Sequence, residues 1–398
     1  MKIAILVPAD LPVPAVMGGA IETLINNFID INEKQKSLEI HVFSEYNREA
    51  YRLSTQYRLS KFVFLKRGLL YNLLNLPFRV VRKLTGNKTL DLDIILIARR
   101  IRKLRIDKII VEGSSHKLVE LNKLIAREKL IFHMHSDLIN TKTPKNIKIV
   151  NSASMILVAS EFLSKQILQN SGGHCAPIKI LRNGLKLELF AKSTVESQSN
   201  VRAKYLIPEG VPVILYVGRI VESKGILQLY LALKKIIDKK TFHFLIVGSF
   251  GSGFGFEKEA GEFTLKLRSY FKESKDWITL TGFIHNSDLP AIYSISSLLV
   301  VPSLCEDASP LVIIESLAAG TPLIITDGGG MTEYVTDDCA EIIKRNESMI
   351  DNLSLSILNL LGNHEKLQSM SRAAIRKSAS YSVENYYKEF LQILLEEK

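Results

Sequence analysis

The stretch "EDASPLVIIESLAAGTPLIITDGGGMTEY", residues 306–334, sets two acids before a short apolar run, a third acid just after it, and glycines around the next apolar run. The run 311–314 continues at helical spacing through Ala318 and Ala319 and stops at Gly320. That pattern predicts a helix with Pro310 near its start, where a missing N–H costs nothing. Residues 321–326 then read as a buried strand, and Asp327 to Gly330 as the turn after it. The acids Glu306, Asp307 and Glu315 therefore frame a helix N-terminus beside strand ends, where α/β sheets bind ligands.

The same alternation extends outward through the chain. Strands are predicted over 2–7, 38–43, 108–111, 130–133, 154–159 and 178–181, and a second series over 213–217, 242–247, 277–281, 298–301, 323–326 and 340–343. Two such series imply two doubly wound, Rossmann-like α/β domains, and 398 residues exceed what one core usually supports. The polar, Ser-rich segment 190–212 reads as the linker, with the boundary near residue 192. This gives domains over 1–192 and 193–375. Residues 376–398 end in a helix that Ser382 caps.

Three cysteines, Cys175, Cys305 and Cys339, are far apart in sequence and form no CxxC pair, which argues against a zinc site or a disulfide framework and fits a reducing cytoplasm. The first apolar run is too short for a signal peptide, and no uncharged run reaches about 18 residues, so any membrane contact is peripheral. The net charge of +11 is concentrated in residues 61–108, with 13 Lys or Arg against three Asp. Within it, "KRGLLYNLLNLPFRVVRKL" (66–84) mixes apolar and cationic residues as segments on anionic lipid do, although a solvated helix face would read the same. No RNP-like segment or helix-turn-helix signal supports nucleic acid.

Several further stretches carry chemistry. In "LYVGRIVESKGI" (215–226), Arg219 and Lys224 follow a strand end between Gly218 and Gly225; two cations there suit a diphosphate. Gly18 and Gly19 precede a helix, where backbone N–H groups can approach an anion. "HMHSD" (133–137) ends a strand with two histidines on one side; with no third ligand nearby, sugar or phosphate contact is favoured over metal. "DLD" (91–93) reads as a helix cap rather than a metal motif. "VGSFGSGFGFE" (247–257) lacks the GxGxxG order of a dinucleotide site and reads as a mobile loop over a cleft.

Together "GGAIE", "HMHSD", "ILRNGL" (180–185), "VGRIVESKG", "FLIVG", the run 280–324 and "GGMTE" resemble the retaining GT-B glycosyltransferases, the glycosyltransferase family 4-like group that includes sucrose synthases. The resemblance implies two Rossmann-like domains facing a central cleft, the first for the acceptor and the second for the nucleotide-sugar donor. The terminal helix would pack back on the first domain. It also implies a metal-independent hexosyltransferase that needs no cofactor, uses a UDP-sugar in preference to a GDP-sugar, and serves bacterial surface-polysaccharide synthesis. The acceptor would be a saccharide or lipid-linked saccharide, at the inner face of the plasma membrane, with an anionic surface contacted through residues 61–108.

By the same resemblance Arg219 and Lys224 bind the diphosphate and Glu315 the ribose. Gly18, Gly19 and His135 lie at the donor sugar, and Ser309, Pro310 and Leu311 also bind the donor. The family's first acid, seven residues before the second, falls on Asp307 where Glu is usual, and Glu306 is one residue out of register; either could contact the sugar. "GGAIE" in place of a shorter "GGAE" leaves the role of Glu22 open. The alternative is a non-catalytic GT-B subunit that binds nucleotide or a partner transferase.

Overall fold

The computed structural model describes residues 1–8, 11–66, 68, 71, 73, 75–78, 80, 83, 91–173, 175–191, 195–251 and 261–396. Two compact units divide the chain: Met1–Asn183 with Tyr386–Lys398, and Gly184–Asn385. The first holds a seven-stranded parallel sheet built from β1 (Lys2–Leu6), β2 (Glu39–Glu45), β3 (Ser60–Leu65), β4 (Lys108–Glu112), β5 (Leu130–Met134), β6 (Met155–Val158) and β7 (Ile178–Ile180). Its order is β3-β2-β1-β4-β5-β6-β7. The second holds β8 (Val213–Val217), β9 (His243–Val247), β10 (Ile278–Gly282), β11 (Leu298–Val301), β12 (Leu323–Thr326) and β13 (Ala340–Ile343), in the order β10-β9-β8-β11-β12-β13. Central strands such as IAIL, VILY and LIIT are buried on both faces, which is why they read as continuous apolar runs.

In each sheet the winding reverses once, between β1 and β4 and between β8 and β11. Crevices open at such points, beyond the carboxyl ends of the strands, because the flanking crossovers run to opposite sides. The helix predicted after the opening acids spans Leu311–Ala319, with Pro310 immediately before it and Gly320 in the left-handed conformation after it. Asp91 caps the helix Leu92–Leu104, accepting from the Asp93 N–H at 3.0 Å.

Two expectations need correction. β3 was not foreseen: it is the sheet edge, most of its side chains are only partly buried, and its sequence begins the cation-rich segment. The expected linker contains a helix, Val195–Lys204, with almost no apolar face for periodicity to detect. It is anchored by polar contacts, with Gln198 donating to the Ser294 carbonyl at 3.2 Å and Arg202 to the Pro208 carbonyl at 2.7 Å. The Gly-rich loop expectation falls largely on 252–260, outside the described residues, and part of the 66–84 reading falls on residues that also lie outside them. Among the described residues no helix is long and apolar enough to cross a membrane.

The chain enters the second unit just after Asn183 because Leu185 and Phe190 already lie in that unit's core. Leu185 also pairs with the returning chain, its N–H donating to the Tyr381 carbonyl and its carbonyl accepting from Val383 N–H, both at 2.9 Å. Ser382 caps the helix Val383–Glu396 through the Asn385 N–H. From Tyr386 onward that helix belongs to the first unit, where Tyr386, Tyr387 and Phe390 pack around Phe28 and the Tyr387 hydroxyl donates to Asn32 at 2.9 Å. Phe390→Ala should therefore destabilise the first unit by about 3–5 kcal/mol. Urea unfolding is expected to show an earlier transition for this variant, whereas Leu395→Ala, at a site 44% exposed, should leave it almost unmoved.

Candidate functional site

A polar constellation lies in the second unit, at the carboxyl ends of β8, β11, β12 and β13, four neighbouring strands. After β8 the chain turns through Arg219 to a short 3-10 helix, Glu222–Lys224, and then through Gly225 into the helix Ile226–Lys234. The buried Tyr216 hydroxyl donates to the Arg219 carbonyl at 2.8 Å, fixing the start of this turn. Gly225 has φ 68°, and a Cβ there would stand 1.8 Å from the Pro302 carbonyl oxygen. The loops after β8 and β11 are thereby drawn together, and the Ser223 carbonyl accepts from Leu304 N–H at 2.9 Å and Cys305 N–H at 3.2 Å.

This contact delivers Lys224 to Asp307 as an ion pair. The other Asp307 oxygen accepts from Ser303 at 2.5 Å, and its carbonyl accepts from Gly330 N–H at 2.8 Å. Gly329, at φ 63°, passes so close that a Cβ would lie 2.4 Å from the Asp307 carbonyl oxygen. Glu306 turns to another partner: Arg345, just beyond β13, donates to it at 2.8 Å, to Asp327 at 3.2 Å and to the Leu304 carbonyl at 3.1 Å. The two adjacent acids thus serve different cations.

Glu315 sits one turn into the helix after Pro310, only 8% exposed, and accepts from the Tyr293 hydroxyl at 2.8 Å. Burial pushes its carboxyl up to about 7, and the single Tyr293 hydrogen bond offsets this only in part. Ser309, Pro310 and Leu311 line the same helix start, and all three are partly exposed.

A second constellation stands at the corresponding edge of the first unit. Gly18 and Gly19 both have positive φ, and the Glu22 side chain folds back so closely that a Cβ on Gly19 would lie 2.1 Å from its carboxylate oxygen. Glu22, left open by the sequence, is a buried acid against this loop. Gly113, after β4, fits between Ile21 of the helix beginning at Ala20 and the His135 ring. His135 Nε2 lies 2.7 Å from Glu112, and His133 Nδ1 lies 3.0 Å from the same oxygen. Burial raises the Glu112 carboxyl, but the two imidazoles, His133 foremost, overrule it and hold the group down at about 2. Burial, then the neighbouring His133, lowers His135 below its ordinary value.

The sequence showed the histidine pair without a third partner; the structure supplies Glu112, which is 23 residues upstream and paired in register with His133 across β4 and β5. Ser303, Tyr216, Tyr293 and Arg345 were also missed. Arg345 alone carried a usable signal, a cation just past a strand like Arg219, while the others follow from inter-strand geometry.

Residues 197–377 match the family described as "Glycosyl transferases group 1". The chain is 28% identical over 322 residues to a lipopolysaccharide 1,2-N-acetylglucosaminetransferase of Salmonella typhimurium, covering 79% of this chain and 81% of that protein. It is 22% identical to spore coat protein SA of Bacillus subtilis, over 96% and 95% of the two chains. Among solved structures, HepE of Anabaena in complex with UDP-glucose superposes with a TM-score of 0.76 at 19% identity, covering 100% of both chains. A glycosyltransferase of Rickettsia africae superposes with a TM-score of 0.76 at 20% identity, over 100% of this chain and 98% of that one.

The raised Glu315 carboxyl makes stability depend on pH with a definite sign. Its unfolded value is near 4.5 and its folded value about 7, so the folded chain holds the extra proton between them. The contribution is complete below pH 4.5 and is lost as pH rises through 7, amounting to on the order of 3 kcal/mol. Glu315→Gln should remove this slope: denaturation midpoints measured from pH 4.5 to 8 are expected to fall more steeply for the parent than for the variant.

Proposed function

We infer that this chain, a glycosyltransferase belonging to the glycosyl transferases group 1 family with the GT-B fold, moves a hexose from a nucleoside diphosphate donor to an acceptor hydroxyl with retention at the anomeric carbon. The observation that carries the reading is the Lys224–Asp307 ion pair, held with Ser303 at the winding reversal between β8 and β11. A cation and an acid in contact offer two complementary grips, one for a phosphate and one for sugar hydroxyls. Arg219, five residues before Lys224, adds a second cation with a planar fork suited to a diphosphate.

The leaving group of such a transfer is a nucleoside diphosphate, and its departure is eased by every positive charge already in place. Lys224 and Arg219 meet the developing charge, and the N-terminus of the helix Leu311–Ala319, entered through Ser309 and Pro310, adds its dipole. Protein cations therefore do the work that a metal does elsewhere. Glu315 accepts from the ribose hydroxyls, its raised carboxyl being drawn into the ionised form by those donors. Asp307, rather than Glu306, is the acid that grips the sugar, since Asp307 stands on Lys224 and Glu306 is engaged by Arg345. In the first unit the Gly18-Gly19 loop and His135 are the residues we assign to the donor sugar.

UDP is the nucleotide we favour, consistent with the UDP-glucose complex of HepE, and the acceptor is a saccharide or lipid-linked saccharide in surface-polysaccharide synthesis, consistent with the Salmonella relative. A peripheral position on the inner face of the plasma membrane is supported by the exposed Arg99, Arg100, Arg102, Lys103 and Arg105 and by the exposed Leu73, Leu76 and Val80.

Thermal unfolding with UDP, GDP, ADP and dTDP, in the presence and absence of magnesium, tests the donor directly. UDP at 100 times its dissociation constant should stabilise the chain by about 2.7 kcal/mol without metal; no shift with any nucleotide would overturn the reading. Lys224→Ala should reduce transfer roughly 10- to 100-fold, the worth of a charge-assisted hydrogen bond of about 1.5–3 kcal/mol. Asp307→Asn should cost more activity than Glu306→Gln in the same assay, and the reverse order would transfer the sugar contact to Glu306.

A further inference from the structure

We propose that Glu112, His133 and His135 form a binding site for a divalent transition metal of the zinc type. Their ligand atoms, one carboxylate oxygen and two imidazole nitrogens, lie within 4.8 Å of one another. Glu112 and His133 are 2% and 0% exposed, while His135 is 11% exposed and gives the cluster its outlet to solvent. Two imidazoles and one carboxylate leave the fourth corner of a tetrahedron open, the donor set that zinc accepts and that magnesium or calcium, which take oxygen ligands, does not favour.

A second observation concerns His133 alone. Among the described residues neither of its ring nitrogens has an aligned hydrogen-bond partner. Nδ1 stands 3.0 Å from the Glu112 oxygen, but off the line that a hydrogen bond needs. A buried imidazole whose nitrogens lack an aligned partner costs free energy that the Glu112 carboxylate, drawn to His133 by charge, returns only in part. A metal accepting the Nδ1 lone pair would return it, since metal coordination asks for convergence of donors rather than an N–H pointed at an acceptor.

The scaffold also suits a metal. Glu112 and His133 are register partners on adjacent strands, so their Cα separation is fixed by the sheet, and the Phe390 ring lies 6.0 Å from the His133 ring. Ligands about 2.0–2.1 Å from zinc in a tetrahedron stand roughly 3.3 Å apart. The present spacings of 2.7 and 3.0 Å from the shared oxygen lie within about half an ångström of that value, and with all three ligand atoms inside 4.8 Å, closing the site also draws the two imidazole nitrogens together. The donor reading also uses His135, so cobalt binding is measured without nucleotide, where it reads the metal site apart from the donor.

The test uses the full chain, without an affinity tag, stripped by a chelator and titrated with cobalt(II). The expected result is one tightly bound ion per chain with the intense visible bands of a four-coordinate site, displaced by an equivalent of zinc. Glu112→Gln and His135→Ala should each weaken binding by at least about tenfold, while His116→Ala, at a half-exposed histidine elsewhere on the unit, should not. Far-UV circular dichroism checks that the variants are folded, and the partly exposed His135 keeps the test open if Glu112→Gln is not. A weak six-coordinate spectrum, or cobalt binding unchanged in His135→Ala, would overturn the proposal and leave the cluster as a hydrogen-bonded acid between two imidazoles.

Discussion

Gly225 is the position on which the second unit's polar site depends. The backbone of β8's loop runs against the Pro302 carbonyl with no room for a β-carbon, and the positive φ there would strain any other residue as well. From that contact follow the hydrogen bonds between Ser223 and the residues after β11, and from those the meeting of Lys224 with Asp307. Gly329 repeats the device on the far side of Asp307. A carboxylate with one oxygen on a lysine, the other on a serine and its carbonyl on a backbone N–H has little freedom left, so the site is assembled before any ligand arrives.

The two units handle buried carboxylates in opposite ways. Glu112 lies against two imidazoles, which favour its ionised form strongly enough to overcome desolvation. Glu315 has burial of the same order but only a phenol for company, and a single neutral donor cannot hold its charge at neutral pH. The first acid is thus fixed in state by its own unit. The second is poised to change state when donors of its own accord approach it, which is what a diol would bring.

Most of the architecture was legible in the sequence because parallel strands buried on both faces leave an unmistakable mark. All the predicted strands recur in the two sheets. β3 escaped because an edge strand with one wet face carries no such run, and the helix 195–204 because polar anchoring leaves no periodic stripe. Within the site, the cations after β8 and the acids before Leu311 were visible as clusters at strand ends. What local sequence could not supply was which acid meets which cation. The pairing of Asp307 with Lys224 and of Glu306 with Arg345 is set by the spacing of β8, β11 and β13 across the sheet, and the union of Glu112 with the histidines by the β4–β5 register.

The return of the chain to the first unit has a consequence for synthesis. The aromatic cluster around Phe28 takes its partners from Tyr386, Tyr387 and Phe390, more than 350 positions later. A nascent chain emerging from the ribosome therefore carries an incomplete first core, with Phe28 lacking its aromatic cover, while all of Gly184–Asn385 is made. The second unit, whose sequence is continuous, has everything it needs earlier. Although it is translated later, it is the unit that can close first, and the N-terminal one waits for the last helix to finish it.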